Sequence, residues 1–182
     1  MLTHIRPAIT LTLFFTLLTG IAYPLAITGA AQAIFPANAN GSQTVRGGKL
    51  IGSALIGQNW TSDKYFHGRP SAVKYDASTS SGSNLGPSSK TLIADIAANA
   101  TALGGSNVPA DLVTQSGSGL DPDISPAGAL FQVERVARAR GLTQDAVRQL
   151  VAAHTSGPDL GILGEAHVNV LDLNLALDEL KP

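Results

Sequence analysis

Residues 7–35, PAITLTLFFTLLTGIAYPLAITGAAQAIF, contain no charged side chain, and the first charge after Arg6 is Arg46. A helix of 29 residues, at about 1.5 Å per residue, is longer than the ~30 Å hydrocarbon layer of a bilayer. The stretch therefore predicts one transmembrane helix, able to tilt or to extend past the headgroups. Arg6-Pro7 reads as its start, because proline fits the first helical position, whose N–H has no helical acceptor. Gly20, Tyr23 and Pro24 are candidates for packing within the span. Pro24 lacks a backbone donor and crowds the preceding turn, so a local deviation is expected there. Gly20, Gly29 and Ala30 are small enough to let a second helix approach. The competing reading is a cleaved secretory signal, with small-x-small sites at Ala31-Gln32-Ala33 and Ala37-Asn38-Ala39. A signal core runs about 7–15 apolar residues, far fewer than here. Arg6 on one side and Arg46 with Lys49 on the other leave the orientation open.

Outward from the span lie a short tail, 1–6, a polar linker, 36–48, and a soluble domain, 49–182, large enough to bury a core without staples. The chain has no cysteine, which excludes disulfides, thiolate metal sites and a cysteine nucleophile. Arg6 aside, 11 basic face 13 acidic residues, with no basic stripe, so nucleic-acid binding is not expected.

Lys49 to Gln58 (KLIGSALIGQ) alternates aliphatic and small residues and predicts a buried strand. The serine-rich stretch 76–90 predicts irregular structure. Three helices follow. Ser88 or Ser89 caps the first, whose Leu92, Ile93, Ile96, Ala100 and Leu103 share a face; Gly104-Gly105 ends it. Ser125 caps the second, with Pro126 at its first position and Gly141 past its end. Leu130, Phe131 and Val136 are expected to face the core, and Glu134 to pair with Arg138 on the wet side. Thr143 caps the third, with Leu142 and Val147 as a hydrophobic staple. Val168 to Leu171 suits a strand and Asp172 onward a terminal helix. The fold class is α+β: one N-terminal transmembrane helix followed by a small mixed domain.

Four histidines, His4, His67, His154 and His167, lack metal-ligand spacing, so packing or surface roles are expected. Asp121-Pro122-Asp123 brings two carboxylates close, as acid–base chemistry requires. A turn leading into the Ser125-capped helix accounts for it equally well. Gln115-Ser116-Gly117-Ser118-Gly119 has the small residues that let backbone N–H groups approach a phosphate. It lacks the Lys-Ser/Thr of a P-loop, the spacing of a dinucleotide fingerprint and the frame of a serine nucleophile. A tight turn is the plainer expectation, and no catalytic centre emerges.

Taken in order, the segments resemble one family, the C subunit of the bacterial Kdp-type potassium-transporting ATPase. The resemblance rests on Arg6-Pro7-Ala8, Thr19-Gly20, Tyr23-Pro24-Leu25, Gly52-Ser53, Leu55 to Gln58, Tyr65-Phe66 and Gly68-Arg69-Pro70-Ser71-Ala72. It continues through Gly82-Ser83-Asn84-Leu85-Gly86-Pro87, then Ser116 to Pro122, Ile124-Ser125-Pro126, Gln132-Val133, Arg135-Val136-Ala137, Ala139-Arg140-Gly141, Val168 to Leu171 and Leu173-Asn174. It implies a non-enzymatic, single-pass subunit of the bacterial inner membrane with a periplasmic domain. Its implied partners are a channel-like potassium-translocating subunit, a P-type ATPase subunit, a small single-span subunit and membrane lipid. It also implies a catalytic chaperone that raises the pump's affinity for ATP, with Gln115, Ser116, Gly117 and Ser118 as the nucleotide contact. Gly68, Arg69, Pro70, Ser71, Asn84, Gly86, Pro87, Asp121, Pro122, Asn169 and Asn174 would be structural or interface residues. No tightly bound cofactor is implied; ATP would act through the complex, and potassium is the ion it transports. A domain on the outer face cannot touch cytoplasmic ATP, so an effect on nucleotide affinity would have to pass through the span. The alternative, from the residues alone, is a membrane-tethered hydrolase or small-ligand-binding domain using Asp121 or Ser116.

Overall fold

The computed structural model describes residues 2–105 and 107–180, which fall into two compact units, Met1–Thr44 and Val45–Pro182. In the first unit a continuous helical run, Ile5–Ile34, is long and apolar enough to cross a membrane. It comprises α1 (Ile5–Leu17), a π-helical turn (Leu18–Ala22) and α2 (Tyr23–Ile34). The π turn lies one residue before Pro24 and has a local cause. Proline has no N–H and its ring crowds the carbonyl four residues back, so the ladder widens ahead of it, and the Tyr23 N–H bonds to the Leu18 carbonyl five residues earlier. Gly20 sits within that turn with open space where a Cβ would stand. Tyr23 and the Leu, Ile and Phe side chains from Ile5 to Ile34 are exposed.

The stretch expected as a linker is more regular than its composition suggested. It holds a short helix, α3 (Pro36–Ala39), and a strand, β1 (Gln43–Arg46), paired with β2 (Lys49–Ser53). Gly47 and Gly48 join them with φ of +58° and +77°, as a two-residue hairpin connection requires. The buried strand expected over Lys49–Gln58 is corrected: β2 stops at Ser53 and no residue of it is fully buried. Two strands alone give little cover, and from Ala54 the chain turns instead of pairing.

The core of the second unit is a helical layer on a small antiparallel sheet. Ser89 caps α4 (Lys90–Ala102), its Oγ accepting from Leu92 N at 3.4 Å. Ser125 caps α6 (Pro126–Arg140) through Gly128 N at 2.9 Å. Gly141 closes α6 in the left-handed conformation at φ +68°, and Thr143 caps α7 (Gln144–Ala153). A four-residue helix, α5 (Ala110–Val113), lies between α4 and α6. The sheet has the order β3-β5-β4, with β3 (Asp123–Ile124), β4 (Thr155–Ser156) and β5 (His167–Asn169); Ile124 pairs with Val168 on one side and Thr155 with Val168 on the other. The final helix, α8 (Val170–Glu179), starts earlier than expected because Asn169 is its cap: Oδ1 accepts from Asp172 N at 3.2 Å.

Val133, Val136 and Ala137 of α6 meet Val147 and Val151 of α7, Val168 of β5 and Leu173 and Leu177 of α8 around Phe66. Burying each Val, Leu or Phe fully is worth about 1.5–3 kcal/mol, so this cluster carries most of the domain's stability. Of the α6 residues expected to face the core, Val136 is fully buried and Phe131 packs half-buried against the cluster, whereas Leu130 is 49 % exposed and Gln132 is buried in its stead. No residue of α4 is buried, and Ile93 is 60 % exposed.

Candidate functional site

Part of the set that the sequence singled out, Arg69 to Ser71, Gln115 to Ser118 and Asp121, converges on a cluster of interlocked loops. Arg69 reaches Asp121 with Nη1 at 3.0 Å and the Gln115 carbonyl with Nη2 at 3.4 Å. Pro70 accepts from Ser116 N at 3.1 Å, and Ser71 Oγ donates to the Gly119 carbonyl at 2.6 Å. The segment 68–71 is thus stitched to 115–121 along its length. On the opposite side of that loop, the Ser118 carbonyl accepts from Ser81 N at 2.9 Å and Ser80 Oγ at 3.2 Å. Gly82 approaches so closely that a Cβ there would lie 2.9 Å from the Gly117 carbonyl. The serine-rich stretch is irregular, as its composition predicts, yet it is held against its neighbours. Asn84 is exposed with φ +54°, and the Gly86 carbonyl ahead of Pro87 accepts from Ser89 N at the start of α4.

The two serine hydroxyls of the Gln-Ser-Gly-Ser stretch are engaged within the loop, while the buried Gln115 Oε1 has no hydrogen-bond partner among the described residues. Ser116 is buried and its Oγ accepts from Gly119 N at 2.8 Å; Ser118 Oγ accepts from Leu120 N at 3.1 Å. With Ser116 N committed to Pro70, the donors at Ser116, Gly119 and Leu120 that a phosphate would need are occupied. Neither serine hydroxyl is hydrogen-bonded to a histidine, so a general base beside a nucleophile is missing at these positions.

Asp121 and Asp123 have different partners. Asp121 pairs with Arg69, and its Oδ1 accepts from Asp123 N at 3.1 Å, a local turn bond. Asp123 accepts from Asn169 Nδ2 at 3.0 Å; burial pushes its carboxyl above the usual range, against the pull of His167 and Asn169. Asn169 also donates to the Ala54 carbonyl at 2.9 Å, and the Pro122 carbonyl accepts from Val170 N at 2.9 Å, tying the turn to the start of α8.

Two carboxamides hold the segment that precedes Gly68. Asn174, fully buried, accepts from Phe66 N at 2.8 Å and donates to the Phe66 carbonyl at 3.0 Å. Gln132 does the same for the next residue, accepting from His67 N at 2.8 Å and donating to its carbonyl at 3.0 Å. Gln132 belongs to the Gln132-Val133 match but was assigned no role by the sequence, although a polar residue in the apolar periodicity of α6 was the available signal. Arg135 adds bonds to the Asp63 and Tyr65 carbonyls at 2.8 and 3.0 Å.

A cleft of about 370 Å³ opens beside this segment, with Trp60, His67, Arg69, Lys74 and Leu103 in its wall. His67 Nε2 lies 3.1 Å from the Ser62 carbonyl, and burial, with Arg135 nearby, lowers the pKa of its ring below the ordinary value. Tyr75 donates to the Arg69 carbonyl at 2.6 Å; burial, reinforced by Asp121, pushes its phenol up to about 12. Among the described residues no group of three or more His, Asp or Glu side chains could hold a metal ion. The arrangement is suited to holding loops rigid and presenting a surface.

The family described as "KdpC: K+-transporting ATPase, c chain" matches residues 5–179. The potassium-transporting ATPase KdpC subunit of Rhodopseudomonas palustris (strain TIE-1) is 52 % identical over 200 aligned positions, covering all of both chains. That of Methylorubrum populi is 54 % identical over 99 % of this chain and 98 % of its own length. That of Gemmatimonas aurantiaca is 57 % identical over 99 % and 94 %. Matched from the first turn of its apolar helix to the last turn of α8, the chain belongs to the KdpC family, the c chain of K+-transporting ATPases.

Proposed function

We propose that the chain is a non-catalytic, membrane-anchored accessory subunit of a potassium-uptake ATPase in a bacterial inner membrane. It assembles with a channel-like potassium-translocating subunit, the ATP-hydrolysing P-type subunit and a small single-span subunit. Its soluble domain stands on the periplasmic side. The observation that carries this reading is the way the motif residues are used: Arg69, Ser71, Ser116, Asp121, Asn169 and Asn174 all bond within the domain. A site shaped for turnover keeps reactive groups open to substrate, whereas this one is spent on rigidity.

The family's role as a catalytic chaperone for ATP binding then operates as coupling between distinct sites, carried by the span. The exposed apolar flank of the helix, with Gly20 in its π turn, supports packing against partner helices. Potassium is the transported ion of the complex, not a ligand of this domain.

The test is affinity purification of the tagged full chain, in mild detergent, from potassium-starved cells that express the pump. Co-recovery of the two larger subunits is expected; recovery of the chain alone rejects the reading. Because the sequence has no cysteine, one cysteine placed within 76–90 reports sidedness. Labelling by an impermeant thiol reagent in intact spheroplasts is expected, and protection until lysis would put the domain inside.

A further inference from the structure

Among the described residues, the connection from β4 to β5 carries the two most exposed large apolar side chains of the soluble unit. Leu160 is 90 % exposed, Ile162 82 % and Leu163 58 %, within four consecutive residues. The loop is closed by its own backbone: Asp159 N donates to the Leu163 carbonyl at 2.8 Å and Leu163 N to the Asp159 carbonyl at 2.9 Å. Gly161 N adds a bond to the Pro158 carbonyl at 3.0 Å. Leu160 itself is held at φ +54°, a left-handed conformation uncommon for a side chain of its size. A fixed turn with its apolar groups outward differs from scattered surface leucines and marks a contact surface.

The charge around the tip selects the occupant. Asp159 and Glu165 flank it, and residues 155–166 contain no Lys, Arg, Trp or Tyr. A segment that seats itself in an anionic bilayer surface uses basic and aromatic anchors, which this one lacks. Acidic flanks around an apolar tip fit a protein recess that is apolar inside and basic, or rich in N–H donors, at its rim. We infer that the 158–165 loop is a docking wedge that inserts Leu160 and Ile162 into such a recess on a membrane-embedded subunit of the same transport complex. The inference rests on the accessory-subunit reading above.

Two measurements on the full chain in cells expressing the complex test it. In the first, the double variant Leu160→Gln/Ile162→Gln is purified beside the unaltered chain and the control Ile93→Gln, which alters an exposed apolar residue on α4. At least a tenfold loss of the larger subunits is expected for the double variant and none for the control, with unchanged thermal unfolding of all three chains. In the second, a benzophenone amino acid at position 162 is irradiated in membranes; an adduct with a polytopic subunit of the complex, identified by mass spectrometry, is expected. Unchanged recovery of the larger subunits by the double variant overturns the wedge while leaving the accessory-subunit reading intact. So do adducts with lipid alone or with a second copy of this chain, or no adduct at all. Failure of the unaltered chain to recover any larger subunit overturns the accessory-subunit reading itself, and the wedge with it.

Discussion

Asn174 clasps Phe66 through both ends of its carboxamide, Oδ1 taking the backbone N–H at 2.8 Å and Nδ2 giving to the carbonyl at 3.0 Å. Both residues are fully buried, so the pair replaces a strand partner where no strand lies alongside. Asn174→Ala leaves a donor and an acceptor buried without partners and opens a cavity. Each unsatisfied group costs about 1–3 kcal/mol, so a loss of roughly 3 kcal/mol is expected. Asn174→Asp is expected to be worse, because it places a carboxylate against the Phe66 carbonyl in a dry site. Urea unfolding of the detergent-solubilised chain measures both.

Gln132 makes the matching bonds to His67, one residue along. Since the two carboxamides hold adjacent peptide units, releasing one loosens the other. A double-mutant cycle of Gln132→Ala and Asn174→Ala is therefore expected to show a coupling of about 1 kcal/mol; strict additivity would mean that the segment is fixed mainly by Phe66 packing.

Helices α4, α6 and α7 were legible in the sequence because their signals are local, whereas the four-residue α5 was not. Ser89, Ser125 and Thr143 lie within three residues of the N–H groups they cap, and Gly141 declares its own left-handed turn. The short sheet was not. β3 and β4 have two residues each and β5 three, too few for an alternating pattern, and β5 pairs on one side with β4 just before it and on the other with β3, which is distant in sequence. The buried stripe of α6 was read correctly at Val136 but not at Leu130 and Gln132, for a related reason. Gln132 looks polar, and only the backbone of His67, 65 residues earlier, makes it an interior residue. The clustering of 68–71 with 115–121 depends on contacts of similar range and has no local signature.

At Gly119 the loop cluster has no room for a side chain. It stands at φ +70°, and a Cβ there would lie 2.5 Å from Val73 Cγ2 and 2.7 Å from the Ser81 carbonyl. A left-handed non-glycine residue costs about 1–2 kcal/mol, and forced overpacking about 1–3 more. Gly119→Ala should destabilise the domain by roughly 3 kcal/mol in thermal or urea unfolding, whereas Gly117→Ala, with open space at its Cβ, should cost well under 1 kcal/mol.

Ser116 separates a structural loop from a nucleotide contact. Its hydroxyl is the acceptor for Gly119 N, so Ser116→Ala strands a buried donor and should cost about 1–2 kcal/mol of stability. Calorimetric titration of the solubilised chain with ATP to millimolar concentration is expected to give no saturable heat, for the natural chain and the variant alike. A saturable signal abolished by Ser116→Ala at unchanged stability would instead assign the loop to nucleotide binding.

Tyr75 gives the cluster an alkaline signature. Its phenol is pushed up to about 12 by burial and by Asp121, from an ordinary value near 10. The unfolded chain releases this proton first, so between pH 10 and 12 the folded state holds more protons and stability falls as pH rises. Below pH 10 the contribution is fully present. Absorbance titration at 295 nm should therefore show a phenol ionising near pH 12, and Tyr75→Phe should remove it. The variant also loses the bond to the Arg69 carbonyl, about 1 kcal/mol at neutral pH. Its stability should then decline less steeply over the same alkaline window. An unchanged slope would mean that the phenol is solvated and that the 68–75 segment opens far more readily than its hydrogen bonds imply.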